Sequence, residues 1–301
     1  MSLTSIIIPT YNPGPENVLQ MQARLASQLF TNWELVIIDS SSTDGSLSLW
    51  EARRTIVIPQ ANFDHGGTRN QAAHAANGQI LIFMTQDAIP ADDACLAELV
   101  EPILNGEAQA CYGRQLPRPD ADPMEVFART FNYTAESRIK SLHDKDELGI
   151  KTFFFSNVCS AVSTPHFWQV GGFPTRTVLN EDMMLAAKLI MSGHLIKYVA
   201  DARVVHSHDY GLKQHFQRYF DIGASMPQLR TALDGVDLGG EGLHFVLGQA
   251  RYVLGLGHWW LVPKVFAEAA TKYVGFELGR RERFLPRELK RHLSMHGHFW
   301  I

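Results

Sequence analysis

Ser5-Ile6-Ile7-Ile8-Pro9-Thr10-Tyr11-Asn12 is an unbroken aliphatic run that stops on a polar loop, and Glu34-Leu35-Val36-Ile37-Ile38-Asp39 repeats the arrangement. Neither run alternates apolar with polar residues, so each reads as a strand covered on both faces. Thr55 to Pro59 and Gln79 to Met84 are two more of the same kind. Between them, Asn17 to Phe30, Gly45 to Arg54 and Gly67 to Asn77 have helical composition, and Gly78 stands where a helix cap is expected. Strand and helix in alternation predict an α/β fold, a mixed, mostly parallel sheet flanked by helices.

In such a sheet, ligands bind beyond the carboxyl ends of the strands. The loops there run Pro9 to Asn12, Asp39 to Gly45, Asp64 to Asn70 and Thr85 to Ala88, and all are rich in Asp, Gly, Ser or Thr. From Ala108 to Ser163 the pattern becomes irregular, punctuated by Pro117, Pro119 and Pro123. Glu181 and Asp182 then open a helical stretch that Gly193 closes, and a short strand leads to His206-Ser207-His208. After Leu212 the chain reads as several helices, which divides it into a domain over 1–210 and a helical region over 211–301.

The chain has 301 residues, of which 46% are apolar, enough for a large core and too many for a disordered chain. Charged residues make up 19%, and the formal charge of −4, as a whole-chain average, does not suggest a dominant polyanion-binding surface. That average hides an asymmetry, because Lys272 to His298 carries seven Lys/Arg against three acids, a local +4, which leaves −8 on the rest. Cys95, Cys111 and Cys159 are odd in number and form no Cys-x-x-Cys pair, so a disulfide framework or zinc module is not expected and a reducing compartment fits. Leu3 to Pro9 reads as strand with no basic n-region, so no secretory leader is expected. Gln249, Arg251, His258 and Lys264 keep the most apolar stretch short of the roughly 20 residues that cross a bilayer.

Each polar position has a plain and a chemical reading. Asp39 either stabilises its loop or accepts from a nucleobase imide or a ribose hydroxyl. Asp87 is placed to hold a divalent cation, Mn2+ or Mg2+, that neutralises a departing diphosphate, with His206 or His208 as further ligand. The glycines of His65-Gly66-Gly67-Thr68-Arg69-Asn70 would admit a phosphate to a helix N-terminus, with Arg69 adding charge. The loop is neither Gly-x-x-x-x-Gly-Lys-Ser/Thr nor Gly-x-Gly-x-x-Gly, so P-loop phosphoryl transfer and dinucleotide-dependent dehydrogenation lose ground. Glu181 and Asp182 either complement a helix dipole or supply a general base.

In order, Pro9-Thr10-Tyr11-Asn12, Asp39 to Gly45, Gly67 to Asn70, Gln86-Asp87-Ala88, Gly171-Gly172-Phe173 and Glu181-Asp182 resemble the family 2 glycosyltransferases of the GT-A fold. The His-Gly-Gly-Thr-Arg-Asn loop, Thr85 to Ala88 and Lys272 to Gly279 are similar to the rhamnosyltransferases that build bacterial surface polysaccharide. The resemblance implies inverting transfer of a sugar, dTDP-β-L-rhamnose being the favoured donor, to a hydroxyl of a lipid-linked or lipopolysaccharide-type glycan. It assigns Pro9, Thr10, Tyr11, Asp39, Asp44, Gly67, Arg69, Asn70 and Gln86 to the nucleotide pocket. Asp87 becomes the metal ligand with His206 and then His208, Asp182 the base, and Glu181 beside it the residue that positions the acceptor or donor sugar. Two departures stand out: Asp39-Ser40 replaces a paired acid, and Gln86-Asp87-Ala88 replaces Asp-x-Asp.

The tail interleaves Phe245, Tyr252, Trp259, Trp260, Phe266, Tyr273 and Phe276 with its basic cluster. Two uses fit: packing on the domain or on a second copy as a homodimer, and contact with the inner face of a bacterial plasma membrane from the cytoplasm. No nucleic-acid motif accompanies the cluster. The acceptor pocket is expected near the stretch before Phe173, with Trp168. A UDP-hexose donor and a catalytically silent nucleotide-binding scaffold are the competing functions.

Overall fold

The computed structural model describes residues 3–236 and 239–300. The strands are β1 (Thr4–Thr10), β2 (Trp33–Asp39), β3 (Arg54–Val57), β4 (Ile80–Met84), β5 (Ile89–Pro90), β6 (Ala110–Leu116), β7 (Arg138–Lys140), β8 (Cys159–Ser163) and β9 (Ile196–Val205). The helices are α1 (Pro15–Ala26), α2 (His65–Ala75), α3 (Cys95–Leu104), α4 (Pro123–Asn132), α5 (Lys145–Leu148), α6 (Thr164–Gln169), α7 (Glu181–Met191), α8 (Leu212–Ser225), α9 (Gly239–Gly255), α10 (Val262–Arg280) and α11 (Arg287–Leu293).

One sheet runs β3-β2-β1-β4-β8-β6-β9-β5, with β7 on β9. Strands β1, β2, β3, β4, β6 and β9 point the same way, and β8 runs against both β4 and β6. The aliphatic runs divide as a two-sided strand must. Ile7, Val36, Ile38, Leu81 and Phe83 pack under α7, while Ile6, Ile8, Leu35, Ile37, Ile80 and Ile82 pack under α1 and α3.

Three local expectations change. Gly45 to Arg54 forms only a 3-10 turn, Ser46–Leu49, because Gly45 is left-handed (φ 80°) and Gln22 of α1 binds both the Leu49 carbonyl and the Glu51 N–H. Helix α2 is capped at Ala76, and Gly78 is small for a different reason: a Cβ there would strike the backbone of Ser5. The irregular stretch from Ala108 holds β6, α4, β7 and β8, the last filling the middle of the sheet.

Residue 210 does not separate two cores. Met226, Leu229 and Ala232 belong to the cluster that contains Phe83 and Leu185. Gly275 and Gly279 of α10 face the Phe216 and Phe220 carbonyls of α8 with no room for a side chain, and Gly223 faces Phe276 in the same way. The tail glycines are therefore a close helix crossing that holds α8 beside the sheet.

Candidate active site

The carboxyl ends of β1, β2, β4, β6 and β9 and the start of antiparallel β8 meet at one edge. Asp39 is fully buried there and accepts from Thr10 Oγ1 (2.9 Å), the Ser42 N–H (2.8 Å) and Ser42 Oγ (2.5 Å). It holds the loop, the plain reading, and Tyr11, next to Thr10 in the chain, is 42% exposed. Gln86 forms a reciprocal pair with the Tyr11 backbone (2.8 and 3.2 Å), and Asp44 accepts from the Gly14 N–H and from Ser46. These hydrogen bonds to Ser46 and to the Gly14 N–H hold Asp44 below the usual carboxylate range. Asp44 and Gln86 thus tie neighbouring loops together. Pro9 stands half-buried at the end of β1.

The α2 loop also differs from expectation. Asp64 caps the helix by accepting the Gly67 N–H at 2.6 Å, so that donor is taken and a carboxylate already sits where a phosphate was expected. A Cβ on Gly66 would strike the Pro174 carbonyl. Asn70 clamps the turn at Phe173, donating to its carbonyl (2.9 Å) and accepting its N–H (3.0 Å). Gly67 thus serves the helix cap and Asn70 the turn at Phe173. Arg69, 5% exposed, reaches the His65 carbonyl (2.9 Å) and Glu181 Oε1 (3.2 Å). It steadies Glu181 instead of facing open solvent. Trp168, expected near an acceptor, stacks on His74 with ring centroids 4.0 Å apart.

Asp87 Oδ2 lies 3.5 Å from both His206 Nε2 and His208 Nε2, and the three potential ligand atoms fall within 4.8 Å of one another. Strand β9 ends at Val205, so the pair leaves from a loop, yet both rings still turn to Asp87. Hydrogen bonding fixes one ring. Arg129 Nη1 donates to Gln115 Oε1, which identifies that atom as the amide oxygen, so His206 Nδ1 at 3.0 Å must donate to it. The lone pair on Nε2 is then free toward Asp87, the tautomer a metal ligand needs. Burial keeps both imidazoles neutral, pushing His206 down to about 3 and His208 below its ordinary value. The two imidazole nitrogens and one carboxylate oxygen form a donor set that could hold a divalent transition-metal ion.

Asp182 is partly exposed at the start of α7. Asn180 before it is left-handed (φ 64°) and tied to Ser225 of α8 (2.7 Å), which turns the helix start into the site. Asp182 accepts from Met183 N–H (2.7 Å) and Asn157 N–H (3.2 Å). Burial, and then the charge on Glu181, push its carboxyl up to about 7. Glu181 goes the other way, held low by Arg69 despite its own burial.

The sequence reading missed four residues here. Gln115 donates to Ser156 Oγ (2.9 Å) and to Tyr133, and Asn157, next in the chain, holds Asp182 and Glu181. The cluster at Asp87 and the carboxylate at Asp182 are therefore fixed by adjacent residues at the entry to β8. Arg129 orients Gln115. Arg218 of α8 lies 5.9 Å from the Tyr210 ring and, among the described residues, pairs with no carboxylate. Its charge helps hold His206 and His208 neutral on one side and His65 and His296 on the other. Only the polar spacing before Cys159 hinted at Asn157; Gln115 and Arg218 lie in strand and helix patterns that give no such sign.

Residues 5–171 match the model of glycosyl transferase family 2. The chain is 39% identical to the O-antigen chain rhamnosyltransferase WbaN of Salmonella anatum over 98% of its length and 95% of that protein. Identity to RfbN of Salmonella typhimurium, another O-antigen chain rhamnosyltransferase, is also 39%, with the same coverage. Among solved structures, the mannosyltransferase PcManGT of Pyrobaculum calidifontis, in complex with GDP-Man and Mn2+, superposes with TM-score 0.57 at 17% identity, over 99% of this chain and 84% of that one. TarS 1–349 of Staphylococcus aureus with UDP-GlcNAc gives 0.56 at 14% identity, over 94% and 91%. At these identities the two structures speak to the fold, a mixed sheet of GT-A type.

Proposed function

The chain belongs to glycosyl transferase family 2 and is a glycosyltransferase, and we propose that it moves L-rhamnose from dTDP-β-L-rhamnose to a sugar hydroxyl of a growing surface polysaccharide, with inversion. The near full-length identity to two O-antigen chain rhamnosyltransferases carries the choice of sugar. The site supports the chemistry. Asp182 removes the proton from the acceptor hydroxyl, whose oxygen bonds to the anomeric carbon as the bond to the diphosphate oxygen breaks. The departing electron pair ends on the diphosphate, whose charge Arg218 is placed to meet. A divalent metal held by Asp87 with His206 and His208 would add positive charge for the same oxygens. Tyr11 offers a ring to the base, on a loop that Asp39, Asp44 and Gln86 hold in shape. Thermal-shift titration tests the donor: dTDP should stabilise the protein more than UDP or GDP, and equal shifts for all three would count against this choice.

The raised carboxyl of Asp182 sets a pH dependence. A base works only deprotonated, so kcat/KM should fall about tenfold per pH unit below the value near 7 and level off above it. A flat profile across that range would remove Asp182 from the role.

Among the described residues no helix is long and apolar enough to cross a membrane. We propose peripheral attachment at the inner, cytoplasmic face of the plasma membrane through the corner between α9 and α10, where Trp259 and Trp260 are 70% and 56% exposed. Leu254, Leu256 and Phe266 are exposed nearby, with Arg251 and Lys264 on the same helices, a mix suited to an anionic headgroup boundary. The wild type should sediment with vesicles containing phosphatidylglycerol, and Trp259→Ser with Trp260→Ser should not. Equal sedimentation would remove this face from membrane attachment, and a dimer lost in the double variant without any vesicle binding would make it a contact between copies.

A further inference from the structure

Beyond His208, α4, α8, α9 and α10 enclose a cleft of about 160 Å3. We infer that this cleft binds a neutral sugar ring of the acceptor glycan; the inference rests on the glycosyl-transfer reading above.

Its position in the sheet gives the first argument. The loops after β1 and β2 lie on one side of β4, which carries Asp87, whereas β9, which leads to His208, lies on the other. A nucleotide over the β1 and β2 loops and a molecule in the cleft would therefore approach Asp87, His206 and His208 from opposite sides. Displacement with inversion needs the acceptor on the face of the anomeric carbon away from the departing diphosphate, and separate approaches by donor and acceptor allow that.

The second argument is charge. Asp122, Glu125, Asp209 and Glu268 line the cleft, and each is ion-paired, to Lys264, Arg129, Arg118 and Lys272 in turn. A nucleotide or a lipid diphosphate finds no unpaired lysine among these lining residues, while hydroxyl groups find both acceptors and donors there. Apart from Tyr210, its apolar lining is Met124 and Ala128, too little for an acyl chain. Tyr210 contributes a half-buried aromatic ring to the lining, stacked on His208 with centroids 5.2 Å apart and edge-on to His215 at 5.8 Å. Polar groups on an aromatic platform are the chemistry that a sugar's hydroxyl and C–H faces require.

The walls are also built. Glu268 is 6% exposed and joins His215 (3.3 Å) and Lys272 (3.2 Å), which locks α10 to α8. Glu125 holds Arg129 at 2.7 Å, and Arg129 orients Gln115 behind His206. Side chains in contact thus run from the cleft wall to the cluster at Asp87. The outer end, where Lys264 meets Asp122 at 3.2 Å, lies about one helical turn from Trp260. A glycan entering from a membrane-held lipid would arrive at that end.

Ala128, half-buried on α4, lines the cleft without touching the donor side. Ala128→Trp fills the space. The test is saturation-transfer NMR with methyl glycosides of galactose, glucose, mannose and rhamnose, in the presence of dTDP and Mn2+. At least one glycoside should bind the wild type and bind Ala128→Trp about tenfold or more weakly, with the dTDP thermal shift unchanged. Equal glycoside binding by the folded variant, loss of its dTDP shift, or no glycoside binding to the wild type would overturn the inference. If Ala128→Trp does not unfold cooperatively, Ala128→Leu takes its place under the same criteria. A wild type that takes up glycosides but gives no dTDP shift would sink the proposed donor and leave the cleft standing.

Discussion

Asp182→Asn is expected to reduce rhamnosyl transfer by about 10²- to 10⁴-fold, the usual worth of a positioned proton acceptor, while dTDP binds as before. The amide is nearly isosteric and one of its atoms can still accept from Asn157 or Met183, so the helix start keeps its place. What it loses is the ability to take a proton. Glu181→Gln separates the two acids. Glu181 is paired with Arg69 at 3.2 Å and both are nearly fully buried, so removing its charge leaves a buried cation without its partner. Such losses cost about 3 to 5 kcal/mol, so Glu181→Gln should lower the melting temperature where Asp182→Asn does not. Near-normal turnover by Asp182→Asn would end the assignment, and equal destabilisation by the two would make both structural.

The second large effect is expected at Asp87. Asp87→Ala should weaken Mn2+ binding in the presence of dTDP by about a hundredfold or more, since even outer partners of metal ligands are worth 10- to 100-fold. Gln115→Leu should fall in that lower range. It leaves Asp87, His206 and His208 in place but removes the acceptor that directs the His206 proton to Nδ1. Electron paramagnetic resonance of free Mn2+ reads both variants without reference to turnover. Unchanged Mn2+ affinity in Asp87→Ala would move the metal elsewhere or remove it from the enzyme.

The central strands were legible because burial on both faces leaves an unbroken aliphatic run, as in Ile6 to Ile8 and Val36 to Ile38. Asp87, His206 and His208 were legible as chemistry at strand ends, although only the sheet brings their ligand atoms within 4.8 Å. Polar loops were harder. Sequence displays donors and acceptors but not which partner claims them, and here Asp64 takes Gly67, Phe173 takes Asn70 and Glu181 takes Arg69 before any ligand arrives. Strand β8 escaped notice because Cys159-Ser160-Ala161-Val162-Ser163 is short and mixed in character, and with it went Asn157. Gly275 and Gly279 stood in the tail motif, but their purpose is a contact with α8 that no local pattern announces.

The most direct test of the account is donor consumption by the wild-type protein with Mn2+ and a membrane fraction carrying lipid-linked glycan. Rhamnose should pass from dTDP-β-L-rhamnose into the lipid-linked fraction with release of dTDP, and UDP-glucose and GDP-mannose should remain intact. Turnover of either of those donors with dTDP-β-L-rhamnose untouched would contradict the assignment.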